Sequence, residues 1–231
     1  MEHILLRVYF VIQKILYAQI DNETFNAIIS QGKILEKDYW GVKVVETKDN
    51  KIVKFFRLKR VYSSAFFFPY AWCFKKNAEQ LKKLGIKTVD VEKIVYCLPQ
   101  QRHLLSYGKI EGQSARELLC QGRRNNDLIR QLIKFIAELH EKGVYFRSLH
   151  FGNIIINSQG DMALIDISDL KVYSRELSSK QRIRNWKHLL KYSFEKKLIN
   201  EYGWDDFFSK YVECSHLSSK QVKQFNTAIK Q

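Results

Sequence analysis

The chain has 231 residues, with 39 Lys and Arg against 24 Asp and Glu, for a formal net charge of +15. A 45% hydrophobic share with two Pro and ten Gly excludes a disordered, collagen-like or linker-rich chain, and the length suffices for one large domain or two small lobes. The basic excess calls for an anionic partner (nucleic acid, lipid head groups or a phosphorylated small molecule), and composition does not choose among them.

In chain order, residues Ile4–Ala18 are dense in apolar side chains interrupted by Arg7, Gln13 and Lys14. The run is shorter than the ~20 residues that span a bilayer. It has no basic leader or small-residue cleavage site, so a buried or interfacial helix rather than a secretory signal is expected, with core packing favoured over membrane contact. Lys33–Thr47 reads as two strands around a turn at Trp40 and Gly41, and Lys51–Arg57 (K-I-V-K-F-F-R) as a third, rich in branched and aromatic residues. Pro69 opens a helix over Tyr70–Leu84 that Gly85 stops. Lys87–Tyr107 reads as strands again, turning at Pro99–Arg102.

The second half changes character. Asp127 is a candidate cap for a helix whose apolar positions Leu128, Ile129, Leu132, Ile133, Ile136 and Leu139 follow the helical period, with Gly143 at its end. Asn153–Ile156 and Met162–Ile165 flank N-S-Q-G-D and suit a hairpin. From Ser178 onward the pattern is helical and basic, with Trp186, Leu189, Leu190, Tyr192 and Phe194 available for packing. The architecture implied is α+β: a strand-rich lobe over residues 1–108 and a helical lobe over 109–231, joined near Gly108–Gly112. Cys73, Cys97, Cys120 and Cys214 form no C-x-x-C pair and lie apart from the histidines, so reduced thiols in a cytosolic protein are expected.

Chemistry concentrates in L-H-E-K-G-V-Y-F-R-S-L-H-F-G-N-I-I-I-N-S-Q-G-D-M-A-L-I-D, Leu139–Asp166. The hairpin places Asn153 at the start of one strand and Asp166 at the end of the next. An amide oxygen beside a carboxylate, both hard ligands, is what Mg²⁺ on nucleotide phosphates demands. Singly, Asn153 reads as a turn residue and Asp166 as a strand-end cap; helix, hairpin and spacing together favour the metal site. His140 reads as a structural hydrogen-bonder, Arg147 as a loop holder, and Asp161 and Asp169 as turn and surface residues.

On these residues the chain resembles the protein-kinase-like superfamily. F-R-S-L-H-F-G-N stands where that fold has H-R-D-L-x-x-x-N, and I-D-I-S where it has D-F-G, with 13 residues from Asn153 to Asp166. The L-H-x-x-G-V-Y-F-R-S-L-H-x-G-N-I run with L-I-D-I looks like bacterial lipopolysaccharide core kinases, most of all their relatives called toluene-tolerance proteins. The strong match covers about 30 residues, Leu139–Leu170. The resemblance implies a two-lobed kinase-like fold with a reduced helical lobe, and ATP and Mg²⁺ as cofactors. It puts Lys54 on nucleotide phosphates, Glu79 against Lys54, Asn153 and Asp166 on Mg²⁺, and Y-G-K-I-E-G-Q-S at the hinge. The catalytic aspartate position falls at Ser148, and a serine hydroxyl is no base near neutral pH without another group. His150 could supply one, or Asp166 could take over positioning. E-K-D-Y-W-G-V-K has one glycine where the phosphate loop has three.

The 65 residues after Asp166 leave little room for a protein-substrate platform, so a sugar or lipid-linked anionic acceptor at the cytoplasmic face of the inner membrane is expected. The alternative is a pseudokinase that binds nucleotide or serves as a membrane-associated scaffold. Two basic stretches, Lys51–Lys76, where Lys54, Arg57, Lys59, Arg60, Lys75 and Lys76 alternate with aromatics, and Lys180–Lys197, with Arg182, Arg184, Lys187, Lys191 and Lys196, read equally as solvated charges over core aromatics or as a surface for an anionic membrane. Nucleic acid ranks last as a partner, since only charge supports it.

Overall fold

Alternation along the K-I-V-K-F-F-R run decides how the first part of the chain is layered. The structure is a computed structural model that describes residues 9, 11–57, 69–121 and 126–229, in two units: 1–79 with 89–110, and 80–88 with 111–231. The first unit carries helix α1 (11–16), β1 (Ala18–Ile20), α2 (Asn22–Gln31), β2 (Lys33–Asp38), β3 (Gly41–Glu46) and β4 (Lys51–Arg57). Most of α3 (Tyr70–Lys83) follows, then, after a short β5 (Lys87–Thr88) of the second unit, β6 (Val91–Cys97) and β7 (Arg102–Gly108). The sheet order is β1-β6-β7-β4-β3-β2, antiparallel apart from the β1–β6 pair.

Because strand side chains alternate between faces, Val53 and Phe55 of β4 join Val45, Val95, Cys97 and Leu104 against Phe25, with Ile28 and Ile29 beside them. Ile52, Lys54 and Phe56 share the opposite face. There Phe74 of α3 stacks on Tyr107 at 5.7 Å and lies 6.2 Å from Phe56. α2 was not foreseen in the sequence. Its signal is local: Asp21 accepts a 2.7 Å hydrogen bond from the Thr24 amide as N-cap, and Phe25, Ile28 and Ile29 form one apolar stripe. The expected first helix also ends earlier than read, since Ala18 already begins a strand. The N-terminal part of that helix, and Lys59, Arg60, Tyr62 and Phe66–Phe68, lie outside the described residues.

The second unit is built around α5 (Asn126–Glu141), which buries Ile129, Leu132, Ile133, Ile136, Ala137, Leu139 and His140. The helix starts one residue before Asp127, so Asp127 sits inside its first turn, where its carboxylate accepts from Arg130 at 2.8 Å; it is not the cap expected. Gly143 ends the run at φ 74, and a β-carbon there would collide with the carbonyl oxygens of Tyr173 and Arg175. Ahead of it come β8 (Gln113–Ser114) and α4 (Ala115–Cys120), and behind it β9 (Val144–Phe146). The expected hairpin is β10 (Ile154–Ile156) and β11 (Met162–Leu164), the centre of a four-stranded sheet ordered β5-β11-β10-β8. β12 (Leu170–Val172) pairs with β9. Four helices follow: α6 (Ser179–Leu189), α7 (Ser193–Tyr202), α8 (Trp204–Glu213) and α9 (Ser219–Ile229). The chain is α+β, strands dominating early and helices late, as expected.

One surface expectation fails. Arg182, counted in the second basic stretch, is fully buried, held by Glu141 and Glu176 at 2.8 Å each and by the Leu177 carbonyl at 2.7 Å. The helical period turns position 182 inward with Asn185, Trp186 and Leu189, while Lys180, Arg184, Lys187, Lys191 and Lys196 remain exposed.

Candidate functional site

The hairpin register fixes the two candidate metal ligands. Ile154 pairs with Leu164, and the Ile165 amide donates to the Asn153 carbonyl at 3.0 Å. Asn153 and Asp166 therefore leave the same end of the hairpin. Asn153 closes a 3₁₀ turn (Phe151–Asn153) and is buried; its Nδ2 donates to the Ser148 carbonyl at 2.9 Å. That bond commits the amide nitrogen and leaves Oδ1 without a donor among the described residues. Asp166 takes left-handed angles, φ 53 and ψ 45, which a non-glycine residue rarely holds. A free amide oxygen and a carboxylate at one strand end fit a small hard cation that keeps most of its ligands from water and phosphate. Among the described residues no cluster of three or more His, Cys, Asp or Glu could hold a metal alone.

Ser148 has a partner that sequence reading did not assign. Its hydroxyl donates to Asp169 Oδ2 at 2.7 Å. Asp169 is not the surface residue expected: the second 3₁₀ turn (Ile167–Asp169) folds it inward, burial pushes its carboxyl up from the usual range, and Oδ1 is buried without a hydrogen bond among the described residues. His150 is committed elsewhere. Its Nδ1 accepts the Gly152 amide at 3.1 Å, capping the Asn153 turn, and its ring lies 4.7 Å from Tyr192. Burial and the Arg116 charge push its pKa down. A neutral ring accepting through Nδ1 carries its proton on Nε2, so in this conformation the basic nitrogen of His150 holds the Gly152 amide.

A buried acid holds the same loop. Glu195 of α7 is fully buried, and its Oε1 accepts from Arg116 Nη2 at 2.5 Å, from Arg116 Nε at 3.0 Å and from the Phe151 amide at 3.1 Å. Arg116 in turn lies over the rings of Tyr192 and Phe194. The sequence signal was faint: one acid within a basic stretch, four residues before the buried Ile199.

In the first unit Lys54 is more than a solvated lysine. It occupies the sheet face covered by α3, with Nζ 5.5 Å from the Phe74 ring centre. Glu79 is not its partner. The helix buries Ala71, Phe74, Ala78 and Leu81 and exposes Trp72, Lys75, Lys76 and Glu79, so Glu79 rides the solvent stripe and makes no hydrogen bond or ion pair among the described residues. The polar residue that the helix turns inward is Asn77.

His140 is structural, as expected. It is fully buried, bonded through Nδ1 to Tyr211 Oη at 2.7 Å and through Nε2 to Asn185 Oδ1 at 3.1 Å, and burial with the Arg182 charge pushes its pKa down to about 3. Asn185 Nδ2 reaches the Phe146 carbonyl at 2.5 Å, tying this network to the strand before the Ser148 loop. Arg147 is exposed, and its charge acts on Asp169. Asp161 is a turn residue, its amide bonded to Asn157 and its carboxylate 2.5 Å from Lys87.

No family model and no curated protein matches the chain. Among solved structures it is similar to WbdD in complex with the kinase inhibitor LY294002, at 14% identity and a TM-score of 0.49, over 81% of this chain and 43% of that one. Monomeric WbdD gives 15% and 0.48, over 81% and 44%. A medium-resolution structure of the bifunctional kinase-methyltransferase WbdD gives 13% and 0.48, over 81% and 42%. The chain thus spans less than half the length of each.

Proposed function

We propose that the protein is an ATP- and Mg²⁺-dependent phosphotransferase of protein-kinase-like fold, akin to lipopolysaccharide core kinases and their toluene-tolerance relatives, acting on a sugar or lipid-linked acceptor. The observation that carries this reading is the shared hairpin end of Asn153 and Asp166, with Asp166 held in a left-handed conformation. Strain of about 1–3 kcal/mol at a non-glycine residue persists where surrounding structure enforces it, and such residues gather at functional sites.

In this reading Asn153 Oδ1 and the Asp166 carboxylate hold Mg²⁺, and Lys54 binds nucleotide phosphates. Bound Mg²⁺ neutralises the phosphate charge that develops during transfer. Ser148 and Asp169 handle the proton: the acceptor hydroxyl hands its proton to Ser148 Oγ as the Ser148 proton passes to Asp169. A carboxylate one hydrogen bond away thus stands in for the missing aspartate, and a burial-raised pKa brings it nearer the range useful to a general base. Glu195 and His150 fix the loop that carries Asn153.

The second reading, a nucleotide-binding pseudokinase, is favoured by Ser148 itself, because a serine has replaced the family's carboxylate. ADP release in the presence of Mg²⁺ separates the two. Turnover above background that falls about a hundredfold or more in Asp166→Ala supports the phosphotransferase; equal background rates in both proteins establish the pseudokinase.

A further inference from the structure

The first helix displays its apolar side chains to water. Val11 is 58% exposed, Ile15 77% and Leu16 67%, with Ile12 exposed beside them, while Tyr9 and Gln13 are buried. At about 100° per residue, Val11, Ile15, Ile12 and Leu16 cover about 140° of one continuous arc. The inward side is fixed by polar chemistry: Gln13 Oε1 meets His103 Nε2 at 2.8 Å in the interior, and Tyr17 packs edge-on to the same ring at 4.8 Å. The helix is therefore anchored through Gln13 and cannot roll its apolar arc inward without stranding His103. Scattered exposed apolar residues need no explanation, but a contiguous arc of four on one helix does.

The arc is flanked by cations and an aromatic. Lys14 borders it on one side. On the other, Leu16 and Tyr17 line a cavity of about 590 Å³ with Trp72, Lys75, Lys76 and Lys93. Trp72 is exposed, and Lys76 lies over its ring at 5.1 Å. Glu79 and Glu92 also line this cavity, but Glu92 is already paired with Lys51 at 2.7 Å. Apolar side chains, an interfacial Trp and surrounding lysines match the layers of an anionic bilayer: acyl chains, the amphipathic boundary and phosphate head groups. Among the described residues no helix is long and apolar enough to cross a membrane.

We propose that Val11, Ile12, Ile15 and Leu16, with Trp72, Lys75 and Lys76, form a surface that docks the protein on an anionic phospholipid bilayer. It stands independently of any phosphotransferase activity. The test is co-sedimentation of the full chain with vesicles of phosphatidylcholine alone and of phosphatidylcholine with 30 mol% phosphatidylglycerol (about one anionic lipid in three). The wild type is expected to bind the anionic vesicles and to release as salt rises. Ile15→Ser with Leu16→Ser should weaken binding about tenfold or more, and Lys75→Ala with Lys76→Ala about tenfold on anionic vesicles only. These side chains are exposed, so an unchanged melting temperature checks the fold.

Failure of the wild type to bind anionic vesicles overturns the proposal, as does binding that the Ile15 and Leu16 substitutions leave unchanged. Sedimentation equilibrium supplies the other occupant: a dimer that the same substitutions dissociate would show that a second copy covers the face.

Discussion

Removing the Glu195 carboxylate should loosen the loop that carries Asn153. Glu195 is fully buried, and one oxygen serves three donors, two on Arg116 and one on the Phe151 backbone. Glu195→Leu leaves a half-buried guanidinium without its acid and a buried N–H without an acceptor. Breaking one side of a buried pair costs about 3–5 kcal/mol, and an orphaned N–H about 1–3 kcal/mol. The two overlap, and Arg116 is one-third exposed, so water recovers part of the loss. About 3 kcal/mol is expected. At a urea slope of about 2 kcal/mol per molar, the midpoint falls by about 1.5 M. Glu195→Gln keeps an acceptor for Phe151 and should lose about half as much. Arg116→Met combined with Glu195→Leu removes both charges and should recover part of the loss of Glu195→Leu alone. A loss below about 0.5 kcal/mol for Glu195→Leu would refute the view that this acid holds the loop.

Two further outcomes follow from the same unit. His140 stays neutral in the fold with a pKa of about 3, against about 6.5 in an unfolded chain. As pH falls below about 6.5 the unfolded chain takes up the proton first, so the stability that His140 contributes is full above that pH and lost progressively down to about 3. At pH 5 the loss is about 2 kcal/mol, read as a drop in urea-derived stability between pH 7.5 and 5 that His140→Gln should reduce; an unaltered pH slope would contradict it. Asp169→Asn should lower ADP release about a hundredfold with nucleotide affinity unchanged, and adding Ser148→Asp to that variant should restore part of it. Equal rates in Asp169→Asn and wild type would remove Asp169 from the chemistry.

Periodicity and punctuation made most of the fold legible. Gly85 and Gly143 end their helices at φ 71 and 74, and the apolar period of residues 128–139 matches the buried face of α5. The Asn153–Asp166 hairpin was readable because two apolar triplets flank a five-residue turn. α2 escaped because its cap and its three-residue stripe are short. Glu79 was misplaced because pairing an acid with Lys54 ignores the helical register: the buried positions Ala71, Phe74, Ala78 and Leu81 put Asn77 inward and Glu79 outward. Asp169, Arg182 and Glu195 were hidden for one common reason. A charged residue reads as surface in one dimension, and only tertiary packing supplies the partners that let it be buried.

The central claim is that Asn153 and Asp166 share one cation bound with nucleotide. A crystal grown with a non-hydrolysable ATP analogue and Mn²⁺ tests it through the anomalous signal of the metal. The account predicts one peak within about 2.3 Å of both Asn153 Oδ1 and an Asp166 carboxylate oxygen. Nucleotide density with the metal elsewhere, or no bound nucleotide at saturating concentration, would contradict it.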